Sequence, residues 1–412
     1  MKRIIVHCEQ EITQMALMEH GQLVEFTIEN SQGRQLVGNL YKGRVVNVLP
    51  GMQAAFVDIG LKKNAFLYID DVLHPHLEKQ PKVKPSISQL LQAGQEIVVQ
   101  VMKEPLGGKG ARVTTHYSLP GRWLVYMPHA DYIGVSKKIE LEVERNRLKQ
   151  IGDQARLPGE GLILRTVAEG ESKEAIQSDI QLLRALWIQI EERAAAMSAP
   201  AQLHQDLSII ERLVRDMFTP QTERVIIDDL VQKEEIASFL SRVLPDWANR
   251  VEIYKGSEPI LTHYGVKEQL DRAFDHKVWL RNGGYLVVDY TEALTVIDVN
   301  TGKYIGSNTL EDTVYETNMQ AAEEIARLLR LRDIGGIILI DFIDMDMERH
   351  RQDIWDKLEL LMRSDRTKHL ILGWTKLGLL EMTRKKVRDH AMNPFTEPCS
   401  VCKGTGRINS RL

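Results

Sequence analysis

Cysteine is scarce in this chain of 412 residues: Cys8, Cys399 and Cys402 are the only three. That number builds no disulfide framework and fits a reducing cytoplasm. Long apolar runs are also missing. The opening MKRIIVHCEQ has three apolar residues, Ile4 to Val6, before His7, which is no secretory h-region. No stretch approaches the roughly 20 residues of a spanning helix. There is no low-complexity tract and no internal repeat. A basic excess is absent too, since 53 Lys and Arg face 57 Asp and Glu for a net charge of −4. The whole molecule is therefore not a basic coat for nucleic acid. Three catalytic signatures fail as well. In GGKG (107–110) Gly110 follows Lys109 where a P-loop needs Ser or Thr, so no NTP is expected as a partner. H-E-x-x-H and the G-x-S-x-G elbow do not occur.

What remains is an ordinary globular composition, 43% hydrophobic and 27% charged, in a chain too long for one core. Two to four domains are expected. Residues 3–6 and 22–28 read as strands. From Leu36 the texture becomes short alternating segments broken by Gly43, Pro50–Gly51 and Gly60, the pattern of a small Greek-key barrel. A polar loop, HLEKQPKVKPSIS, interrupts it before EIVVQVMKE resumes. Leu119 to Val167 reads as β-rich, and helices are expected around 171–196 and 202–217. ERVIIDDL is a strand, and KEEIASFLSRVL is a helix that ends before Pro245. After Gly284, YLVVDY and LTVIDV form a hairpin around Thr291, Glu292 and Ala293. A helix follows from near Asn308, with Glu311 as its capping-box partner and a stripe of Leu310, Val314, Ala321, Ile325, Leu328 and Leu329. Gly335–Gly336 ends it, and IILI runs as a strand into DFIDMD. Strand, strand, helix, strand is an α/β core.

Two acids end apolar strands: Asp298 after Val296–Ile297, and Asp341 after Ile337–Ile340. On neighbouring strands their charges would meet, and such a pair is tolerated when a cation lies between them. Mg²⁺ suits, because it takes oxygen ligands, keeps waters and often uses one or two carboxylates plus a substrate phosphate. The other reading, that each acid caps a turn or the next helix, is equally open from pattern alone. Asp344 and Asp346 lie past the strand end and are expected to face solvent. In CSVCKGTG the two cysteines and the glycines suit a zinc knuckle with half its ligands, so a second copy would supply the rest. A redox pair or inert thiols are the alternatives, and NPFTEP before the motif disfavours the first. Phe56, Phe66 and Tyr68 lie on barrel segments with Lys42, Arg44, Lys62, Lys63 and Lys109 among them. A barrel of this type binds single strands by stacking in a basic groove, although any one aromatic is more often core. Arg165 and Thr166 in GLILRTVAEG end a strand before a helix, where a phosphate is well received, but an Arg there is commonly only a surface residue. Leu361 to Arg388 has eight Lys and Arg against two acids. That run suits a polyanion, and equally a solvated helical face, the plainer reading.

IDVNTG, RLRDIGGIILIDFIDM, GLLEMTRK and CSVCKGTG, in this order and spacing, resemble the ribonuclease E/G endoribonucleases. GNLYKGRV, AAFVDIG, KGARVTT and GLILRT extend the resemblance over nearly the whole chain. It implies an α/β multidomain protein. An RNase H-like core (1–35 and 210–274) would be split by an S1-type OB β-barrel (36–117) and a 5′-sensor region (118–209). A DNase I-like α/β subdomain (275–395) and a zinc link (396–412) would follow. The family pattern implies Mg²⁺ on Asp298 and Asp341 with Asn300 assisting, and RNA contacts from Phe56, Phe66 and Lys109. It places a 5′-monophosphate at Arg165 and Thr166 with backbone help near Val125. One Zn²⁺ would be shared by Cys399 and Cys402 across a homodimer. Lys137 and Lys138 stand where family members often have arginines, which would weaken or reshape phosphate contacts there. Family members continue past the zinc link into a subdomain that pairs dimers, and in the longer branch into a scaffold tail. With the sequence ending at Leu412, a dimer is expected, a tetramer is left open and no scaffold is expected.

The expected activity is that of a cytoplasmic, Mg²⁺-dependent endoribonuclease in RNA processing and decay. It would cut single-stranded RNA, favour 5′-monophosphorylated substrates and leave 5′-phosphate and 3′-hydroxyl ends. A non-catalytic RNA-binding protein, a zinc-linked assembly module and a DNA nuclease are the competing readings.

Overall fold

The computed structural model describes residues 2–10, 12–30, 36–74, 83–105, 109–218, 222–243, 245–291, 293–303, 309–386 and 399–402. Its contacts divide the chain into two units. One comprises Met1–Ser31, Thr219–Ala237 and Trp247–Leu412; the other comprises Gln32–Phe218 and Ser238–Asp246. The second unit is thus inserted into the first.

In the first unit, strands Lys2–Glu9, Ile12–Glu19 and Gln22–Asn30 form an antiparallel meander. When the chain returns, Thr222–Ile227 lies parallel to the first strand with Ile4 opposite Val225, and Val251–Ile253 lies parallel beyond it. Ile4, Ile5, Val6, Val225 and Ile227 are fully enclosed, as the continuous apolar run of a central parallel strand requires. The middle strand of the meander was not expected. ITQMALME is rich in helix formers and lacks alternation, and pairing on both sides overrides that preference.

A second, six-stranded sheet carries the acids. Its order is Lys277–Trp279, Tyr285–Tyr290, Leu294–Asn300, Gly336–Asp341, Leu380–Arg384, His369–Trp374. The hairpin expected around Thr291 is present, although Glu292 lies outside the described residues. The central strands Leu294–Asn300 and Gly336–Asp341 run parallel, joined through the helix Leu310–Leu331. Leu286, Val288, Ile297, Val299, Ile338 and Ile340 alternate into a core shared with that helix and with Glu348–Met362. The intervening side chains occupy the other sheet face. The helix N-cap is Thr309, whose side chain accepts from the Asp312 amide at 3.1 Å, and not Asn308, which lies outside the described residues. Glu311 is therefore no capping-box partner, and Leu310, 80% exposed, is off the stripe.

The inserted unit holds a closed barrel in which Leu40–Leu49, Ala54–Asp58, Ala65–Tyr68, Arg112–Thr114 and Glu96–Lys103 pair in a ring. Val45, Val57, Leu67, Val99 and Val113 fill it, giving an OB-like fold. Beside it, a four-stranded sheet ordered Ile133–Val135, Gly161–Leu164, Leu124–Met127, Leu119–Pro120 packs with helix Lys173–Ala196 around Leu124, Leu162, Ile180 and Trp187.

Three further expectations are corrected. Residues 142–155 form a helix inside the segment read as β-rich; only Leu148, Ile151 and Gly152 are buried, too few for a visible stripe. The segment 202–217 begins as strand Ala201–His204 on the barrel, and its helix starts at Ile209 after a Ser208–Glu211 capping box. The basic run is not a helical face, because most of it is the hairpin His369–Trp374 and Leu380–Arg384; Arg388 lies outside the described residues, as do 76–82 of the polar loop. Among the described residues, no helix is long and apolar enough to cross a membrane.

Candidate active site

Parallel pairing sets Asp298 directly opposite Asp341, at the ends of adjacent strands. Neighbouring strands lie about 4.8 Å apart, so the two carboxylates share one sheet edge and one face. Asn300, two residues along the same face, donates its Nδ2–H to Asp298 Oδ2 at 2.7 Å. That bond orients the Asp298 carboxylate through one of its two oxygens. Partial desolvation raises the Asp341 carboxyl above its ordinary value, and the charges of Asp298 and Asp344 push the same way. The turn-cap reading explains neither the register nor this crowding. A site of crowded oxygen donors fits a hard divalent cation. Among the described residues no group of three His, Cys, Asp or Glu is placed to hold a metal, so water and substrate phosphate would complete the shell. Asp344 and Asp346 are exposed, as expected.

The elements behind the acids keep them there. Gly302 has φ +59°, and a Cβ on it would meet the Gly283 carbonyl at 2.4 Å. The turn after Asn300 is closed by the Lys303 amide donating to that same carbonyl at 3.2 Å. Asn318, fully buried in helix Leu310–Leu331, donates to the Ile343 carbonyl at 2.8 Å and accepts from the Ile343 amide at 3.1 Å. Glu311 accepts from the His350 ring at 2.7 Å and from the Asp346 amide at 3.3 Å. The chain leaving Asp341 is therefore tied to the helix at two points. Asn318 was not singled out from sequence, and Glu311 was read only as a capping-box partner. Asn318 had a signal, a lone Asn among the buried positions of an apolar stripe, where an amide needs partners.

In the barrel, Phe56 and Phe66 face each other across antiparallel strands, ring centroids 5.9 Å apart and planes at 70°. Their neighbours Ala55, Val57, Ala65 and Leu67 are buried. Both rings are half-buried on the outer face, so the core reading fails for them. With Lys62, Lys63, Lys109 and Arg112 they line an open cavity of about 880 Å³. Gly110 allows close approach: a Cβ there would sit 1.9 Å from the Asn64 carbonyl. Gly107 and Gly108 lie outside the described residues. Lys42 and Arg44 are instead paired with Glu96, each at 3.0 Å.

Arg165 and Thr166 begin the turn after strand Gly161–Leu164, which pairs Ile163 with Val125. The Arg165 amide donates to the Trp123 carbonyl at 2.8 Å. Its guanidinium donates to the Gly121 carbonyl at 2.8 Å and pairs with Asp216 at 2.7 Å. Burial opposes ionisation of Asp216, but Arg215 and Arg165 hold its carboxyl below the ordinary range. Thr166 Oγ1 and Ser136 Oγ are 2.8 Å apart. The structure thus joins the expected sensor residues and adds Asp216 and Ser136, which sequence did not reveal. Lys137 and Lys138 are exposed nearby in the chain.

Cys399 is exposed and Cys402 half-buried. The backbone amides of Cys402 and Val401, together with the Cys402 side chain, lower the Cys399 pKa, which suits a thiolate ligand. The flanking 393–398 and 403–412 lie outside the described residues.

Residues 118–387 match the model of the Ribonuclease E/G family. Ribonuclease G of Salmonella typhimurium is 42% identical over 414 residues, 99% of this chain and 84% of that protein. Ribonuclease G of Haemophilus influenzae is 43% identical over 97% of this chain and 82% of its own length. Ribonuclease E of Nostoc sp. is 36% identical over 98% of this chain but 58% of its own length. The chain belongs to the ribonuclease E/G family.

Proposed function

We propose that this chain, by family an endoribonuclease of RNA processing and decay, cuts single-stranded RNA at the Asp298–Asp341 strand ends in a Mg²⁺-dependent reaction. The observation that carries the reading is the direct register of the two acids, with Asn300 bonded to one of them. Asp298 and Asp341 would hold Mg²⁺, which when bound would supply positive charge against the developing phosphodiester oxyanion and lower the pKa of a water. Asn300 keeps the Asp298 carboxylate oriented, and Asn318 and Glu311 keep the segment beyond Asp341 in place. The products carry 5′-phosphate and 3′-hydroxyl ends. Phe56 and Phe66 offer stacking surfaces and Lys109 a backbone contact. Arg165, Thr166 and the backbone near Val125 receive a 5′-monophosphate. Support for the RNase H-like core comes from the meander extended by two parallel strands. The mixed six-stranded sheet supports the DNase I-like subdomain. The setting is cytoplasmic, in keeping with three free cysteines.

The test is one single-stranded oligoribonucleotide bearing a 5′-monophosphate or a 5′-hydroxyl, with Mg²⁺ or with EDTA. Cleavage with Mg²⁺ alone, faster for the monophosphate, is expected. Equal rates for the two ends would remove the sensor role of Arg165 and Thr166, and undiminished cleavage in EDTA would remove the metal.

Cys399 and Cys402 supply half of a tetrahedral Zn²⁺ site, and a second copy supplies the other half. Sedimentation should show a dimer that a zinc chelator, or Cys402→Ser, converts to monomer. A dimer unmoved by both would contradict the shared zinc.

A further inference from the structure

The sheet face that carries the acids carries a second cluster at its edge. Cross-strand pairs share a face. One row runs Lys277, Val287, Asp298, Asp341; the next runs Trp279, Tyr285, Asn300. Lys277, Trp279 and Tyr285 therefore lie on the side of the sheet that holds Asp298 and Asn300. Trp279 is two strand spacings from Asn300, about 10 Å along the sheet.

This cluster has no task in the core. Trp279 is 54% exposed, while its neighbours Val278 and Leu280 are 5% and 7% exposed. Its strand is the edge of the sheet, where a lysine alone would suffice to discourage edge pairing. The two rings meet edge-on, centroids 5.4 Å apart. Lys277 Nζ stands 4.4 Å from the Trp279 ring centroid and 3.4 Å from that of Tyr285. An exposed indole held by a second ring and a cation, beside a site that cuts a polyanion, has the parts of a single-strand contact: an aromatic surface for a base and a positive charge for the backbone.

We infer that Trp279, braced by Tyr285 and Lys277, is a stacking subsite for a nucleobase adjacent to the scissile phosphate of RNA. The inference rests on the assignment of Asp298 and Asp341 above. Stacking uses a face every base has, so the subsite strengthens binding with little sequence preference, and the base is held by its ring and not by its edges.

The experiment is a coupling test with a single-site oligoribonucleotide and versions with an abasic residue at each of the two positions on either side of the cut. kcat/KM is measured for the parent protein, Trp279→Ala and Trp279→Phe. At one position the abasic residue should slow the parent by about tenfold. Trp279→Phe should keep most of that penalty, whereas Trp279→Ala should lose it, cutting intact and abasic RNA within about twofold of each other. Equal abasic penalties in the parent and Trp279→Ala at every position would overturn the subsite while leaving the cleavage site standing. Failure of the parent to cut any of the RNAs would overturn the cleavage assignment, and the subsite with it.

Discussion

Asp341→Asn is expected to slow RNA cleavage by at least ~10²-fold, the scale on which one preorganised electrostatic contact acts, and to raise the melting temperature of the metal-free protein. Both follow from the same crowding. Desolvation and the charges of Asp298 and Asp344 raise the folded-state pKa of Asp341 above its ordinary 3.8. A carboxyl raised in this way binds its proton more readily folded than unfolded. Its contribution to stability is present at low pH and is lost as pH rises through the raised pKa. At neutral pH without metal the ionised pair therefore opposes folding, and the isosteric amide removes that opposition. Mg²⁺ should stabilise the parent more than the variant, because a ligand stabilises only the state that binds it. Thermal melts of both proteins in EDTA and in Mg²⁺ check this. A variant that melts lower than the parent in EDTA would contradict the crowding.

Arg384→Ala is expected to destabilise the first unit by about 3–5 kcal/mol, the cost of stranding a buried partner charge. Arg384 is 5% exposed. Its Nε donates to Asp365 Oδ2 at 2.7 Å, its Nη1 to Asp333 Oδ1 at 2.7 Å and to the Ile334 carbonyl at 3.0 Å, and its Nη2 to Thr367 Oγ1 at 3.1 Å. Asp365 is only 3% exposed, so alanine would leave a carboxylate in the core with its cation gone. Burial by itself would raise the Asp365 carboxyl, but Arg384 holds it below the ordinary range. That stability is present above the unfolded pKa and lost as pH falls through the folded one. Urea unfolding at neutral pH measures the effect, and a loss below 1 kcal/mol would refute it. The result also bears on RNA. Arg384, and Arg366 through its pair with Glu25, belong to the fold, which leaves Lys368, Lys376, Lys385 and Lys386 as the exposed lysines of the basic run.

The three strands Tyr285–Tyr290, Leu294–Asn300 and Gly336–Asp341 of the sheet that bears the acids were legible because their signals are local, whereas its other three strands were not read from sequence. Apolar runs ending in Asp298 and Asp341, a periodic helix and a Gly–Gly break each need only a few adjacent residues. Asn300 was not separable from a turn residue by spacing, and its bond to Asp298 is what distinguishes it. Asp216 was hidden because its partner Arg165 is far away in sequence and neither sits in a telling pattern. Asn318 and Glu311 act on backbone groups 25 and 35 residues away, which no propensity encodes. Helix Glu142–Ala155 escaped because a mostly solvated helix needs few apolar positions. Trp279 passed unnoticed because an aromatic in a short strand reads as core until its exposure is seen.

The central claim, that Asp298 and Asp341 together form a divalent-cation site, is tested most directly by titrating Mn²⁺ into the protein without RNA and counting bound ions by electron paramagnetic resonance. The parent should show a site that Mg²⁺ displaces and that is missing from both Asp298→Asn and Asp341→Asn. Mn²⁺ binding unchanged in both variants would contradict the account.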